Sequence, residues 1–183
     1  MYSGLDEHTL AVLCSQRDSH AEDELYRRYA ARLLTLCRRY TSDVEEACDL
    51  MHDSFIRALE RIDSFKYLRS GSLYAWMSRI AVNAALNYVK RYKFRFIYGR
   101  LPDTLEEPSE DDVRLIPQEI VIGFISSLPE TQRIVFNMYC IDGYSHKEIA
   151  EMLGISEKGS SGLLAKARIR LKKMINEYLK YSE

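Results

Sequence analysis

Glycine and proline are scarce in this 183-residue chain, 8 and 4 copies, and neither low-complexity tracts nor a strong internal repeat stands out. No uncharged apolar run approaches the roughly 18–20 residues needed to cross a bilayer, which excludes membrane insertion. The opening stretch, MYSGLDEHTL, lacks both a basic n-region and an apolar h-region. No secretory signal is therefore expected, and the cytoplasm is the expected location. The four cysteines, Cys14, Cys37, Cys48 and Cys140, show no CxxC spacing and no histidine at ligand distance, so a metal centre finds no support. Buried thiols in a reducing cytosol account for them. Net charge of one sign is also lacking: 26 Lys+Arg face 27 Asp+Glu, a balance that argues at first against a nucleic-acid partner. What is present is a 46% hydrophobic content, enough for a packed core and too much for a disordered chain. The length exceeds the usual domain of about 100–150 residues, so one large or two small domains are expected.

The near-neutral sum conceals opposed blocks. From Ser64 to Pro102 there are eight basic residues (Lys66, Arg69, Arg79, Lys90, Arg91, Lys93, Arg95, Arg100) and no acid. Asp43 to Asp63 carries seven acids against Arg57 and Arg61. Gly99 to Glu119 carries seven acids against Arg100 and Arg114, and Lys158 to Asn176 six bases without an acid. By segment the net charge is +2 over 1–98, −5 over 99–119 and +2 over 120–183. Two basic stretches with acid between and before them suggest two polyanion-binding faces and one surface for a basic partner.

Periodicity points to helices throughout. Val44, Ala47, Met51, Phe55, Ala58/Leu59 and Ile62 step by three and four, predicting a helix over Asp43–Ile62 capped by Thr41, Ser42 or Asp43. Leu25, Tyr29, Leu33, Leu36 and Tyr40 make a similar stripe upstream. Downstream, Leu73, Trp76, Ile80, Ala84 and Asn87 define a third helix after the Ser70-Gly71-Ser72 break. No segment alternates with period two, so the fold is all-α. Three of the four prolines (Pro102, Pro108, Pro117) lie among the acids of the middle segment, which reads as a linker. The expected organisation is two small helical domains, 1–96 and 120–183, joined by an acidic tether over 97–119.

In the second block, Ser127-Leu128-Pro129-Glu130 looks like a helix start with Ser127 near the N-cap and Pro129 in the first turn. That helix carries Ile134, Val135, Met138 and Tyr139 and ends at Asp142-Gly143. Ser145 and Glu148 have the spacing of a capping box, Gly154 supplies a left-handed turn, and Ser156 caps the helix that follows. A short helix, a glycine turn and a longer basic helix make a helix-turn-helix pattern.

Two groups of residues then resemble a known family. Asp49-Leu50-Met51-His52-Asp53-Ser54-Phe55, Phe65, Ala75-Trp76-Met77-Ser78-Arg79-Ile80-Ala81-Val82-Asn83 and Asn87-Tyr88 look like region 2 of the extracytoplasmic-function sigma factors of bacterial RNA polymerase. Leu128-Pro129-Glu130, Gly143 to Ala150 and Leu153-Gly154-Ile155-Ser156 resemble region 4. The resemblance implies that Asp49, His52 and Asp53 dock on core RNA polymerase, an acidic helix face being suited to a basic partner. It also implies that Phe65–Arg95 holds the −10 promoter element and stabilises melting. Lys66, Arg69, Arg79, Lys90 and Arg91 would hold phosphates, Tyr67 and Tyr74 are placed among them, and Asn83 and Asn87 are one turn apart to read base edges. Trp76 and Ile80 are assigned to the core.

For the −35 element the candidates are Ser145, Lys147, Ser156, Lys158, Ser160, Ser161, Lys166 and Arg168, with the helix from Ser156 entering the major groove. Here the chain departs from the family pattern. Gly159 and Gly162 weaken the helix by about 1 kcal/mol each relative to alanine, and few long donors stand at its base-reading end. No enzyme chemistry, metal or cofactor is implied. An anti-sigma factor is the further partner that the resemblance suggests. A polymerase-independent helix-turn-helix regulator and a helical adaptor are the alternatives, which the aromatic and basic region around Asn83 disfavours.

Overall fold

The computed structural model describes residues 2, 4–41, 43–92 and 116–182, and these form two compact units divided near residue 93. Among the described residues all regular structure is helical. The first unit holds α1 (Glu7–Ser15), α2 (Ser19–Tyr40), α3 (Val44–Glu60), a single 3-10 turn (Ile62–Ser64) and α4 (Ser72–Tyr92). The second holds α5 (Gln118–Ser127), α6 (Glu130–Phe136), α7 (His146–Leu153) and α8 (Glu157–Ser182). Most of the predicted linker, and with it Glu106, Glu107, Glu110, Asp111 and Asp112, lies outside the described residues.

Carboxylates start the first three helices. Asp6 accepts from the Thr9 N–H at 2.9 Å, Asp18 from the Ala21 N–H at 3.0 Å, and Asp43 from Glu45 and Glu46 N–H at 2.8 and 3.1 Å. Each satisfies a donor that the first helical turn leaves orphaned. Asp43 is thus the cap of α3, which stops at Glu60; Ile62, expected at the end of that helix, is buried from the 3-10 turn instead. The predicted stripe of α2 is all in the core: Leu25, Tyr29, Leu33, Leu36 and Tyr40.

The stripe predicted for α4 needs correction. The residues it buries are Leu73, Met77, Ala81, Val82, Ala84, Ala85, Leu86 and Val89, whereas Trp76 and Ile80 are only half-buried and Asn87 is exposed. The physical reason is that α4 packs against both α2 and α3. Its buried arc is wider than one stripe and centred about one residue further along, with alanines permitting close approach.

The first helix is tied to the rest by polar contacts. Glu7 accepts from the Tyr29 hydroxyl at 2.9 Å and, with its other oxygen, from the Leu73 N–H at 3.1 Å. A residue of α1 therefore serves the first turn of α4. Arg28 donates to the Leu5 and Tyr2 carbonyls at 2.6 and 3.0 Å. Its Nε, with Arg27 beside it, also engages the buried carboxylate of Glu24.

In the second unit Ser127 closes a helix rather than opening one. It is the last residue of α5, and its hydroxyl donates to the Phe124 carbonyl at 2.8 Å. Pro129 precedes α6, where its missing N–H costs nothing. A wider turn over Asn137–Ile141 continues α6 to Asp142, and Gly143 at φ +76° turns the chain. Ser145 and Glu148 form the expected capping box, and Gly154 adopts the left-handed conformation at φ +70°, ψ +37°. The core joins Ile134, Val135 and Met138 to Ile149 and Leu153 of α7 and to Leu163, Leu164, Ala167 and Leu171 of α8.

Candidate functional site

Because α3 turns Ala47, Leu50, Met51, Phe55 and Ala58 inward, Glu45, Asp49, His52 and Ile56 fall on its outer face, with Asp53 half-exposed beside them. Asp53 pairs with Arg57 at 2.9 Å. His52 lies parallel to the Tyr26 ring of α2 (3° between planes, centroids 6.2 Å apart), and Tyr26 Oη and His52 Nε2 share a hydrogen bond of 3.2 Å. Ile56 is 57% exposed and Tyr26 42%. The face is thus an apolar and aromatic patch among carboxylates. Among the described residues no group of three or more His, Cys, Asp or Glu is placed to hold a metal ion.

On α4 the exposed residues Arg79, Asn83, Asn87 and Lys90 recur at helical spacing and share one polar face. Arg91 follows on the same helix, its side chain outside the described residues. Lys66, Tyr67 and Arg69 are exposed on the segment that leads into α4, and Tyr67 meets His8 of α1 edge-on at 5.6 Å.

Tyr74 is half-buried. It packs on Tyr29 (centroids 6.1 Å apart) and carries the Arg32 guanidinium 3.6 Å above its ring, a cation–π contact that occupies a ring face. Trp76 rests against Phe65 at 5.6 Å. An open cavity of about 640 Å³ lies between α3 and α4, lined by Leu50, Asp53 and Arg57 on one side and Ala84, Asn87 and Lys90 on the other. It brings together Asp53 and Asn87, which sequence reasoning assigned to separate surfaces.

In the second unit Ser145 and Lys147 are exposed at the start of α7, and Ser156 caps α8 by accepting from the Gly159 N–H at 2.9 Å. Lys158, Ser161 and Arg168 are exposed along one side of α8, while Lys166 is half-buried. The Ser161 hydroxyl donates to the Lys158 carbonyl at 3.1 Å, leaving its lone pairs outward for a donor.

Ser160 is corrected: it is 0% exposed, and its hydroxyl is hydrogen-bonded to His146 Nδ1 at 2.9 Å. It cannot meet a base edge from there. The signal was in the sequence, since Ser160, Leu163/Leu164, Ala167 and Leu171 have the spacing of one buried stripe. His146 in turn stacks on Tyr139 at 4.4 Å, with the Arg168 guanidinium 5.9 Å from the Tyr139 ring.

Residues 25–95 match the family described as Sigma-70 region 2, and residues 118–171 match Sigma-70, region 4. The ECF RNA polymerase sigma factor SigM of Mycobacterium tuberculosis (strain Erdman) is 30% identical over 178 residues, covering 95% of this chain and 88% of that protein. The chain belongs to the extracytoplasmic-function sigma factors. SigM of Bacillus subtilis is 27% identical over 84% of this chain and 94% of its own length. For the sigma-E factor of Escherichia coli the values are 28%, 84% and 85%. The structure of CnrH in complex with the cytosolic domain of CnrY superposes at a TM-score of 0.49, with 23% identity over 92% of this chain and 96% of that one. This sigma factor serves transcription initiation.

Its region 2 match starts at residue 25, so α1 lies outside it. Sequence reasoning had passed over Glu7, His8, Tyr26 and Ile56. Ile56 carried a readable signal, being a large apolar residue one position off the buried stripe of its helix.

Proposed function

We propose that this sigma factor docks on core RNA polymerase through the outer face of α3 and opens the −10 promoter element with α4 and the segment before it, while α8 grips the −35 element. The two units are the region 2 and region 4 domains, tethered by an acidic linker. The observation that carries the reading is the division of unit 1 into two faces. One is the patch of Glu45, Asp49, Tyr26 and Ile56, and the other the face of Arg79, Asn83, Asn87 and Lys90, with Asp53 in the groove between them. Acidic groups around an apolar centre suit a basic protein partner, with the apolar residues supplying affinity and the charges register and on-rate. A basic face with amides suits unstacked DNA, whose phosphates need neutralising and whose bases need hydrogen-bond partners.

The chain makes and breaks no bond. Binding energy spent on single-stranded DNA lowers the cost of melting, and no cofactor takes part. It acts in the cytoplasm beside the polymerase, and a partner of the anti-sigma class silences it by covering these surfaces. On α8 the reading residues are Lys158 and Ser161, with Lys166 and Arg168 of the same helix and Lys147 of α7 toward phosphates.

The deciding experiment is reversal of the docking charge. Asp49→Arg/Asp53→Arg places like charges against the basic partner at a cost of several kcal/mol, about a hundredfold or more in affinity. The exposed Asp53–Arg57 pair contributes at most about 1 kcal/mol to folding, so helicity is retained. Pull-down of core polymerase is expected to disappear; undiminished pull-down refutes the docking surface. Asn83→Ala is expected to reduce permanganate reactivity of the melted bubble with little loss of duplex affinity, and an unaffected footprint removes Asn83 from the role.

A further inference from the structure

Between Leu25 and Tyr40, α2 carries five arginines (Arg27, Arg28, Arg32, Arg38 and Arg39) and neither an acid nor a lysine. At 3.6 residues per turn all five fall within an arc of roughly 140°. The buried stripe of Leu25, Tyr29, Leu33, Leu36 and Tyr40 lies outside that arc. Two short residues, Ala31 and Thr35, separate the ends of the row, and both are exposed. The Thr35 hydroxyl is turned back to the Ala31 carbonyl at 2.9 Å, so the ground between the arginines is low.

Folding uses only part of this charge. Glu24 engages Arg27 and Arg28, and five positive charges against that one carboxylate leave +4 over residues 24–40. The helix dipole favours cations in the last turn, which suits Arg38 and Arg39 but not Arg32. Arg32 and Arg38 are exposed, and among the described residues neither has a carboxylate partner. Arg32 lies flat over the Tyr74 ring at 3.6 Å, a contact that fixes the guanidinium while leaving the donors on its edge free. Tyr74 stands in the first turn of α4, just after the exposed Lys66 and Arg69, in the stretch from Ser64 to Pro102 that has no acid. The arginine face therefore adjoins the basic side of unit 1 through Arg32. Planar guanidinium forks match phosphate oxygens two at a time, which lysines do not.

We infer that the arginine face of α2, with Arg32 and Arg38 as its free cations, holds the phosphates of the single DNA strand that continues beyond the −10 element toward the start site. The inference rests on the reading of unit 1 as the strand-opening module. On the other side of the element the DNA stays duplex toward the −35 contact, so only the strand toward the start site needs a separate hold. The contacts are to backbone alone and carry no base preference.

The test uses holoenzyme assembled from the full chain and core polymerase, with two fluorescent non-template-strand oligonucleotides, one ending at the −10 element and one continuing beyond it. Continuing the strand is expected to steepen the fall of log affinity with log salt by about 1.4, two phosphate contacts at about 0.7 each on a single strand. That increment is expected to vanish in Arg32→Ala/Arg38→Ala and to persist in Arg32→Lys/Arg38→Lys, which keeps the charge. Binding of the shorter oligonucleotide is expected to stay unchanged in both. Should the double variant fail to assemble with polymerase, Arg38→Ala alone serves, with the increment cut to about 0.7. An increment that survives the alanine variants overturns the inference, and so does an equal loss on the two oligonucleotides. Loss of polymerase pull-down in Arg38→Ala also overturns it and assigns the face to a protein partner. A wild-type holoenzyme that binds neither oligonucleotide overturns the reading of unit 1 as well.

Discussion

Ser160 and Ser161 are neighbours of the same type with opposite fates. Ser161 faces out from α8, whereas Ser160 is sealed against His146. Ser160→Ala is therefore expected to leave −35 duplex affinity unchanged and to lower the stability of unit 2 by about 1 kcal/mol, the usual worth of one hydrogen bond. Lys147→Ala is expected to weaken binding and to reduce the slope of log affinity against log salt by about one, as removal of one phosphate contact does. Gel-shift titrations over a salt series read both. The cysteines separate in the same way: burial pushes the Cys14 thiol up to about 11 and that of Cys37 to about 12, while Cys140 is exposed. Since the thiolate is the reactive form, a thiol-specific dye is expected to label Cys140 first in the folded protein and all four only in denaturant.

Among the elements, α7 is the most completely specified by local chemistry. Its capping box and left-handed Gly154 were both legible, because each depends on residues within a few positions. Ser145→Ala is expected to cost about 1 kcal/mol, and Gly154→Ala about 1–2 kcal/mol because a Cβ disfavours positive φ. Thermal unfolding followed by circular dichroism measures both.

Other features escaped the sequence for a physical reason: they depend on which neighbour a helix meets. Nothing near Trp76 or Ile80 says that α4 is held between two helices. Nothing near Tyr74 announces Arg32 on its ring. Ser127 matched an N-cap pattern, but the chain before it proved helical to its last residue.

The start of the chain has its own acid sensitivity. Arg28, and after it Arg27, hold the Glu24 carboxyl below its ordinary range, and the helix-capping N–H groups of Thr9 and Ala21 do the same for Asp6 and Asp18. Lowered folded-state values mean that this stabilisation is complete above the ordinary carboxylate range and is lost as pH falls through the lowered ones. Hydrogen exchange is expected to quicken first in α1 and the start of α2 on acidification. Uniform loss across unit 1 would contradict this.

For the whole molecule, neutrality is a balance of oppositely charged segments. Neutralising Glu106, Glu107, Glu110, Asp111 and Asp112 is expected to raise the affinity of the free factor for DNA at low salt, because those acids repel phosphates in the absence of polymerase. Unchanged affinity would assign the linker no electrostatic role. The cavity that Asp53 shares with Asn87 and Lys90 adds an expectation of coupling. Substitutions on the two sides of that groove are expected to be non-additive in open-complex formation, as contacting residues are, and a double-mutant cycle of Asp53→Ala with Asn87→Ala measures it.

The bond from Glu7 to the Leu73 N–H also sets an order of events during synthesis. At about 5–20 residues per second, the carboxylate leaves the ribosome several seconds before the helix it serves. A nine-residue helix such as α1 is marginal by itself. Until α4 arrives, Leu10, Ala11 and Cys14 have only part of their burial, and the nascent chain presents a sticky amino-terminal segment. Once the later helix forms, its first turn finds its partner already waiting, and the last intrachain wait of unit 1 ends with its beginning.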